Sequence, residues 1–421
     1  MGVKRRDVLL GTAAAGTLLL SPSVSARTTE GEFADLPRLA TRAVPIAPAE
    51  YEARIDKARR LMAAAGHDAL LLEPGSSLRY FTGLALYRSE RFTGAIIPAR
   101  GPIAYVTPAF EAPRLAESLL IGDDIRTWDE DADPFRRIAE IVRETSGGGA
   151  TIGLEGSVRY FVADGLAKAA PQMRIRSGEG VVRGCRSRKS PAEIALMKLA
   201  SDITMAAYRA VVPRLREGMT PGDFRTMMNA ATERLGGRPA FSLGLFGAAS
   251  AFPHGSRQPQ HLREGDIVLM DCGCTVEGYN SDISRTIVFG TPSPEQRRVW
   301  EIEQAAQAAA FRAARPGVPC AAVDAAARKV LEANGFGPGF RLPGLPHRTG
   351  HGIGLDGHEW PNFVPGETTP IAPGMCFSDE PGIYIYGKFG VRLEDCLWMA
   401  EDGPRWFSKP APSLDDPLGA A

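Results

Sequence analysis

The apolar run Ile267-Val268-Leu269-Met270 ends directly in a carboxylate, Asp271. A run with no polar alternation reads as a strand buried on both faces. A lone carboxylate placed there costs several kcal/mol unless it is paired or bound to a metal ion. The same anomaly recurs. Asp282 stands at the start of another strand, in Asn280-Ser281-Asp282-Ile283-Ser284-Arg285-Thr286, Glu380 follows Cys376-Phe377-Ser378-Asp379, and Glu394 follows Val391-Arg392-Leu393. His351 stands in Thr349-Gly350-His351-Gly352, where small neighbours leave room for a ligand. Each has an ordinary reading alone: Asp282 as a turn cap, Glu394 as the partner of Arg392, His351 as a turn residue. Together they form an oxygen-rich set with one imidazole, which suits Mn²⁺ or Co²⁺ better than a thiolate zinc site. Four carboxylates also balance two divalent cations. Of only six histidines, four lie in or near these segments, His254, His347, His351 and His358, as a shared polar cavity requires.

The rest of the chain sets the frame. Its 421 residues suggest two or three domains at roughly 100–200 residues each. Lys+Arg and Asp+Glu balance at 49 each, so the basic surplus of a nucleic-acid binder is missing. No stretch reaches the ~18 apolar residues of a membrane helix, which predicts no stable membrane anchor. Residues 1–26 read as an export signal, with Arg5-Arg6 before the apolar run 8–20 and a small-residue cleavage site at Val24-Ser25-Ala26. The arginine pair resembles a twin-arginine signal and predicts a periplasmic or extracellular destination. The six cysteines show no metal-clip spacing, and Cys272-Gly273-Cys274 is too tight for C-x-x-C, so they are expected as buried thiols.

Residues 27–47 are polar and contain proline, as in a linker. From 48 to 185 the pattern is α/β: a helix at 51–65, strands at 69–72, 93–97, 103–107 and 151–154, a turn at 79–83, and a helix at 134–144. From 186 to 421 it is α+β. A capping box at Ser190 opens a helix to about 215, Thr220-Pro221-Gly222-Asp223 and Ser293-Pro294-Glu295-Gln296 open two more, to about 236 and 315, and a fourth covers 321–333. Strands are expected at 266–275, 285–289, 375–385 and 390–399, in a largely antiparallel sheet under the helices.

Three motif matches lack their context. Gly352-Ile353-Gly354-Leu355-Asp356-Gly357 fits G-x-G-x-x-G, but no helix pattern starts inside it. The acidic run 129–133 mimics a calcium loop with Pro134 where that loop needs glycine. His358-Glu359 lacks the second histidine of H-E-x-x-H.

Met270-Asp271-Cys272-Gly273, then Ser281-Asp282-Ile283-Ser284-Arg285-Thr286, resemble the first motifs of the pita-bread metallopeptidases. So do Gly350-His351-Gly352-Ile353-Gly354-Leu355 with His358-Glu359-Trp360-Pro361, then Glu380-Pro381-Gly382-Ile383-Tyr384, and Arg392-Leu393-Glu394-Asp395. The nearest resemblance is to the Xaa-Pro peptidases, prolidase and aminopeptidase P. Tyr80-Phe81-Thr82-Gly83 is similar to a motif of their creatinase-like N-terminal domain. The resemblance covers nearly everything after about Pro48. It implies a C-terminal pita-bread domain, a smaller N-terminal α/β domain, and a homodimer. It implies that Asp271, Asp282, His351, Glu380 and Glu394 hold two divalent metal ions, Mn²⁺ first with Co²⁺ or Zn²⁺ as alternatives, Asp282 and Glu394 bridging. The implied chemistry is attack by metal-activated hydroxide on an Xaa-Pro peptide bond, with Glu380 moving the proton. His254 and His358 would hydrogen-bond the substrate, and His347, Tyr384 and Arg392 would shape the pocket. A different amide or C–N hydrolase on this fold, or a non-catalytic binding protein, is the alternative. The stretch 242–247 departs from the polar segment expected before His254, and no residue presents itself in the sequence as the holder of a dipeptide's free carboxylate.

Overall fold

The computed structural model describes residues 31–146 and 149–419. The export signal expected at 1–26 lies outside them.

The N-terminal unit is a six-stranded sheet whose strands lie side by side in the order 124–128, 104–108, 94–98, 69–72, 151–154, 174–177. Its elements run α1 (Pro48–Ala65), β1 (Ala69–Leu72), α2 (Ser76–Thr82), β2 (Gly94–Pro98), β3 (Ala104–Pro108), α3 (Ala112–Ala116), β4 (Asp124–Trp128), α4 (Pro134–Ser146), β5 (Thr151–Leu154), α5 (Tyr160–Ala169), β6 (Arg174–Ser177) and α6 (Glu179–Arg186). β1 explains why its sequence is apolar throughout. Leu70 and Leu72 pack into the layer of α1 and α6, whereas Ala69 and Leu71 pack into that of α4 and α5. A strand covered on both faces has no polar side to show. The segment 79–83, expected as a turn, is instead the last part of α2, which ends at Gly83 with φ +78°. Burial of Tyr80 and Phe81 against the core outweighs their modest helix propensity.

The second unit opens on α7 (Pro191–Val211) and α8 (Pro221–Leu235), then runs through β7 (Arg238–Phe246), β8 (Ile267–Val276), β9 (Tyr279–Asn280) and β10 (Ile283–Val288). α9 (Pro294–Ala313) and α10 (Cys320–Ala333) follow. The last strands are β11 (Gly350–Gly352), β12 (Glu359–Phe363), β13 (Cys376–Asp379), β14 (Gly382–Ile385), β15 (Phe389–Arg392), β16 (Asp395–Ala400) and β17 (Gly403–Trp406). The capping box at Ser190 forms as read, and Thr220 and Ser293 form capping boxes too, each side chain accepting from the third helical N–H. Sheets β10-β8-β7, β12-β11-β13-β16-β17 and β14-β15 are antiparallel in every described pairing.

Two single strands expected at 375–385 and 390–399 are each broken in two, at Glu380-Pro381 and at Leu393-Glu394. Proline removes a ladder donor, so β13 ends there and β14 continues in another sheet. The segment expected as a linker is packed over its described part. Phe33 and Ile46 are buried in the core, and Arg234 donates to the Ala34 carbonyl.

The fold positions Asp271 through the two-residue period of β8. Val268, Met270 and Cys272 face the core shared with α7 and α8, and Ile267 and Leu269 face that of α9 and α10. Asp271 is the next residue on the second face. There the apolar core gives way to a cavity.

Candidate metal centre

Strand ends bring the five metal-ligand candidates together. Asp271 pairs across β8–β10 with Ser284, and Asp282 sits in the turn before β10. Glu394, between β15 and β16, exchanges both backbone hydrogen bonds with Ser284 at 3.2 Å. His351 lies on β11 beside a register shift, and the Glu380 N–H, just past β13, is held by the Thr349 carbonyl at 2.8 Å. Ligand atoms fall within 4.8 Å of one another in the sets Asp271-Asp282-Glu394, His351-Glu380-Glu394 and Asp282-His351-His358. These sets overlap, so the five form one continuous cluster.

The cluster fits cations. Oδ1 of Asp271 and Oε1 of Glu394 are buried with no hydrogen-bond partner. Burial, together with the charge of the neighbouring carboxylates, pushes the carboxyls of Asp282 and Glu394 well above their ordinary range. Such a group of acids is self-repelling until positive charge enters it. The donor set matches. His351 Nδ1 lies 3.0 Å from the Gly352 carbonyl, which only accepts, so that nitrogen carries a proton. Nε2 then faces the acids, 3.0 Å from Glu380 and 3.8 Å from Asp282. A ring oriented this way through its far nitrogen is set up as a ligand.

A chain of hydrogen bonds backs the cluster. Arg392 donates to Asp271 Oδ2 at 2.6 Å, to Ser284 Oγ at 2.9 Å and to the Tyr384 hydroxyl at 2.9 Å. Ser284 Oγ in turn donates to Glu394 Oε2 at 2.7 Å. Tyr384 reaches His347 Nε2 at 2.9 Å, whose other nitrogen donates to the Arg348 carbonyl. Burial lowers His347 to about 4, which keeps it neutral and accepting the tyrosine proton. Ser378 Oγ donates to Glu380 Oε1 at 3.1 Å. Burial pushes the Glu380 carboxyl up, but His351 outweighs it and holds the group well below the usual range.

All five ligand candidates line one cavity of about 670 Å³, with His254, His347, His358 and Arg392. His358 is exposed, its ring 4.0 Å from that of His351, and burial of part of the ring lowers it to about 4. His254 is exposed on the wall and stands outside the ligand sets. Tyr384 does not line the cavity. It is buried behind it and acts through His347 and Arg392.

Sequence reading missed four contributors. Ser284 joins Arg392 to Glu394, although it sits inside a quoted motif. Phe241 lines the cavity from the unpredicted strand β7, where a bulge after Pro239 redirects it. Arg348 lines the cavity between two flagged histidines. Glu359, next to His358, is held by Lys189 at 2.9 Å and Arg186 at 2.5 Å, ion pairs that tie the two units together.

Residues 195–401 match the model of metallopeptidase family M24, and residues 54–188 match the creatinase/prolidase N-terminal domain. The probable dipeptidase PepE of Mycobacterium tuberculosis is 35% identical over 359 residues, covering 84% of this chain and 93% of that protein. The Xaa-Pro dipeptidase of Pyrococcus furiosus is 33% identical over 277 residues, 65% of this chain and 77% of its own. The solved dipeptidase PepE of Mycobacterium ulcerans superposes with a TM-score of 0.82 at 33% identity, covering 88% of this chain and 99% of that one.

Proposed function

The chain belongs to metallopeptidase family M24, whose members use divalent metals, and on that premise we propose that it hydrolyses Xaa-Pro bonds, in dipeptides or at peptide N-termini. The observation that carries this reading is the five-residue cluster with its unpartnered buried oxygens. Relatives named Xaa-Pro dipeptidase support the substrate class.

Asp271, Asp282, His351, Glu380 and Glu394 would hold two divalent ions, and the oxygen-rich set favours Mn²⁺. Bound there, such ions supply Lewis acidity that activates water and steadies negative charge on the scissile carbonyl. The chain's own residues do the rest. Glu380, ionised and fixed through Oε1 by Ser378, takes the proton of the attacking water on Oε2 and passes it to the leaving nitrogen. His254 and His358, on the exposed wall, donate to the substrate carbonyl. His347 and Arg392 set the shape of the pocket and the orientation of Asp271. Proline's nitrogen has no N–H and its φ is fixed, so the substrate this cavity would receive is a rigid ring.

The test is turnover by the Mn²⁺-loaded chain of an Xaa-Pro dipeptide, an Xaa-Pro-Yaa tripeptide and a proline-free tripeptide. Release of the first residue from the proline substrates alone supports the reading. Turnover of none of them overturns it. Metal analysis of the active protein fixes the ion and its count.

Export through residues 1–26 belongs to the same proposal. Replacing Arg5 and Arg6 by lysine should leave the protein in the cytoplasmic fraction. A homodimer is expected, and light scattering decides it.

A further inference from the structure

We propose that a second cavity, walled by both units and joined to the catalytic one at His358, takes a basic side chain of the substrate's first residue on Glu155. Lys-Pro and Arg-Pro are then the preferred bonds. That preference rests on the Xaa-Pro reading and deepens it by naming the Xaa.

The N-terminal sheet creates the cavity. β1, β5 and β6 are parallel neighbours, and β1 lies between β2, which follows it in the chain, and β5, which the chain reaches only later. In an open α/β sheet, the crevice outside the carboxyl ends of strands at such a reversal is where ligands bind. Here α2 after β1, the turn after β5 and the start of α6 after β6 supply Ser77, Glu155 and Glu179 to a cavity of about 390 Å³. The catalytic unit closes it with the segment that carries His358. His358 also lines the catalytic cavity, so the two spaces adjoin at that residue.

The charges favour a cation. Four carboxylates line the cavity, those of Glu155, Glu179, Asp356 and Glu359, against the guanidiniums of Arg183 and Arg186. Arg183 is paired with Glu179 at 2.7 Å, and Arg186 with Asp356 at 2.7 Å and Glu359 at 2.5 Å. Glu155 is left over. It is only 6% exposed, and its hydrogen-bond donors are hydroxyls, Ser157 at 2.6 Å and Ser77. Arg88, the one cation within ion-pairing distance of it among the described residues, stands 4.0 Å away and donates to the Pro74 carbonyl and Ser157 Oγ. Glu73, its counterpart at the end of β1, is by contrast paired with Arg159 at 2.8 Å. Burial pushes the Glu155 carboxyl up, and an ammonium or guanidinium entering the cavity would return the stabilisation that burial removes.

The reach suits a long side chain. His358 is placed to donate to the scissile carbonyl, and the carbon bearing the Xaa side chain is bonded to that carbonyl carbon. The side chain therefore leaves the backbone beside the junction of the two cavities. An extended lysine carries its nitrogen about 6 Å from that carbon, and arginine its guanidinium somewhat farther. Alanine stays in the catalytic cavity. Nothing after the proline takes part, so the preference is independent of peptide length.

The experiment compares kcat and KM of the Mn²⁺-loaded full chain and its Glu155→Gln and Glu155→Asp variants on three dipeptides. These are Lys-Pro, norleucyl-Pro, which keeps lysine's carbon chain without its ammonium, and Ala-Pro. The wild type should favour Lys-Pro over norleucyl-Pro by about 10- to 100-fold in kcat/KM, the size of a charge-assisted hydrogen bond. Glu155→Gln keeps the shape and an oxygen for Ser157. It should erase that preference through KM for Lys-Pro and leave the other two substrates unchanged. Glu155→Asp, still charged but one methylene shorter, should keep part of it. A wild type that cleaves Lys-Pro no better than norleucyl-Pro overturns the proposal and leaves the Xaa-Pro reading intact. An equal loss on all three substrates in Glu155→Gln would assign Glu155 to structure alone and overturn it as well. A wild type inactive on all three overturns that reading and the side-chain subsite with it.

Discussion

Arg392 donates to Oδ2 of Asp271 at 2.6 Å, and Oδ1 of the same carboxylate is buried with no partner. One oxygen is fixed by the protein and the other is left for a cation. Arg392 also holds Ser284 and Tyr384, so one guanidinium ties together side chains from three strands, one of them a ligand candidate. Lysine, a single point charge, cannot span these contacts. Arg392→Lys should therefore weaken metal binding or activity by about 10- to 100-fold, the usual cost of losing a group that orients a ligand. Calorimetric titration with Mn²⁺ checks it, and unchanged affinity and turnover would remove Arg392 from the support of the site.

Burial raises the carboxyls of Asp282 and Glu394, and neighbouring acids raise them further, Asp271 and Glu380 at Asp282, and Asp282 and Glu380 at Glu394, so the metal-free protein carries repulsion that metal relieves. Chelation should lower thermal stability and abolish activity. Metal at a hundred times its dissociation constant should stabilise by about 2.7 kcal/mol. Asp282→Asn removes one of the crowded charges. Its metal-free form should melt above metal-free wild type, yet gain little on adding Mn²⁺. Melting curves of both proteins with and without metal decide this, and a variant that still gains stability from Mn²⁺ as wild type does would exclude Asp282 as a ligand.

The site was legible in the sequence because carboxylates interrupt apolar runs, and an interruption that expensive has a reason that can be named. The cost is read from Asp271 alone, without knowing what it faces. The breaks at Glu380-Pro381 and Leu393-Glu394 were not legible as breaks, since the flanking residues are strand-like on both sides. Whether a strand continues or changes sheet depends on pairing partners distant in sequence. β7 was missed because Arg238–Phe246 is poor in β-branched residues, and its strand state comes from pairing along nine residues beside β8. Arg348 was missed for a different reason. Nothing local separates an arginine with a carboxylate partner from one without.

Glu359 ties the cavity wall to the N-terminal unit. Burial pushes its carboxyl up, but the Lys189 ammonium and Arg186 guanidinium outweigh this and hold it down at about 2, against an ordinary 4.5. A carboxyl lowered by folding contributes stability that is fully present above about pH 4.5 and lost as pH falls from there toward 2. Wild type should therefore lose thermal stability more steeply across that window than Glu359→Gln does. At neutral pH the variant should be the less stable by up to roughly 3–5 kcal/mol, because the buried Lys189 ammonium loses its counter-charge while Arg186 keeps only Asp356. Parallel pH curves for the two proteins would show that the clamp contributes nothing.

Gly273 connects the substrate wall to the metal ligands through space rather than charge. It lies on β8, two residues past Asp271 and on the same face, paired with Phe241 of β7. A Cβ there would stand 2.3 Å from the Ser281 carbonyl oxygen and 2.6 Å from the Phe241 ring. The ring can swing toward the cavity, but the carbonyl is backbone and precedes Asp282, so relief of the clash must move a ligand. Gly273→Ala should cost about 1–3 kcal/mol, as overpacking does in a well-packed site. Because the displaced carbonyl adjoins Asp282, affinity for Mn²⁺ should fall as well. Phe241→Ala alone should enlarge the cavity and leave metal affinity unchanged. Combined with Gly273→Ala it should relieve only the side-chain half of the clash. Melting and Mn²⁺ titration of the three variants separate these effects: recovery of metal affinity in the double variant would place the strain on the ring, and its persistence would place it on the Ser281–Asp282 turn.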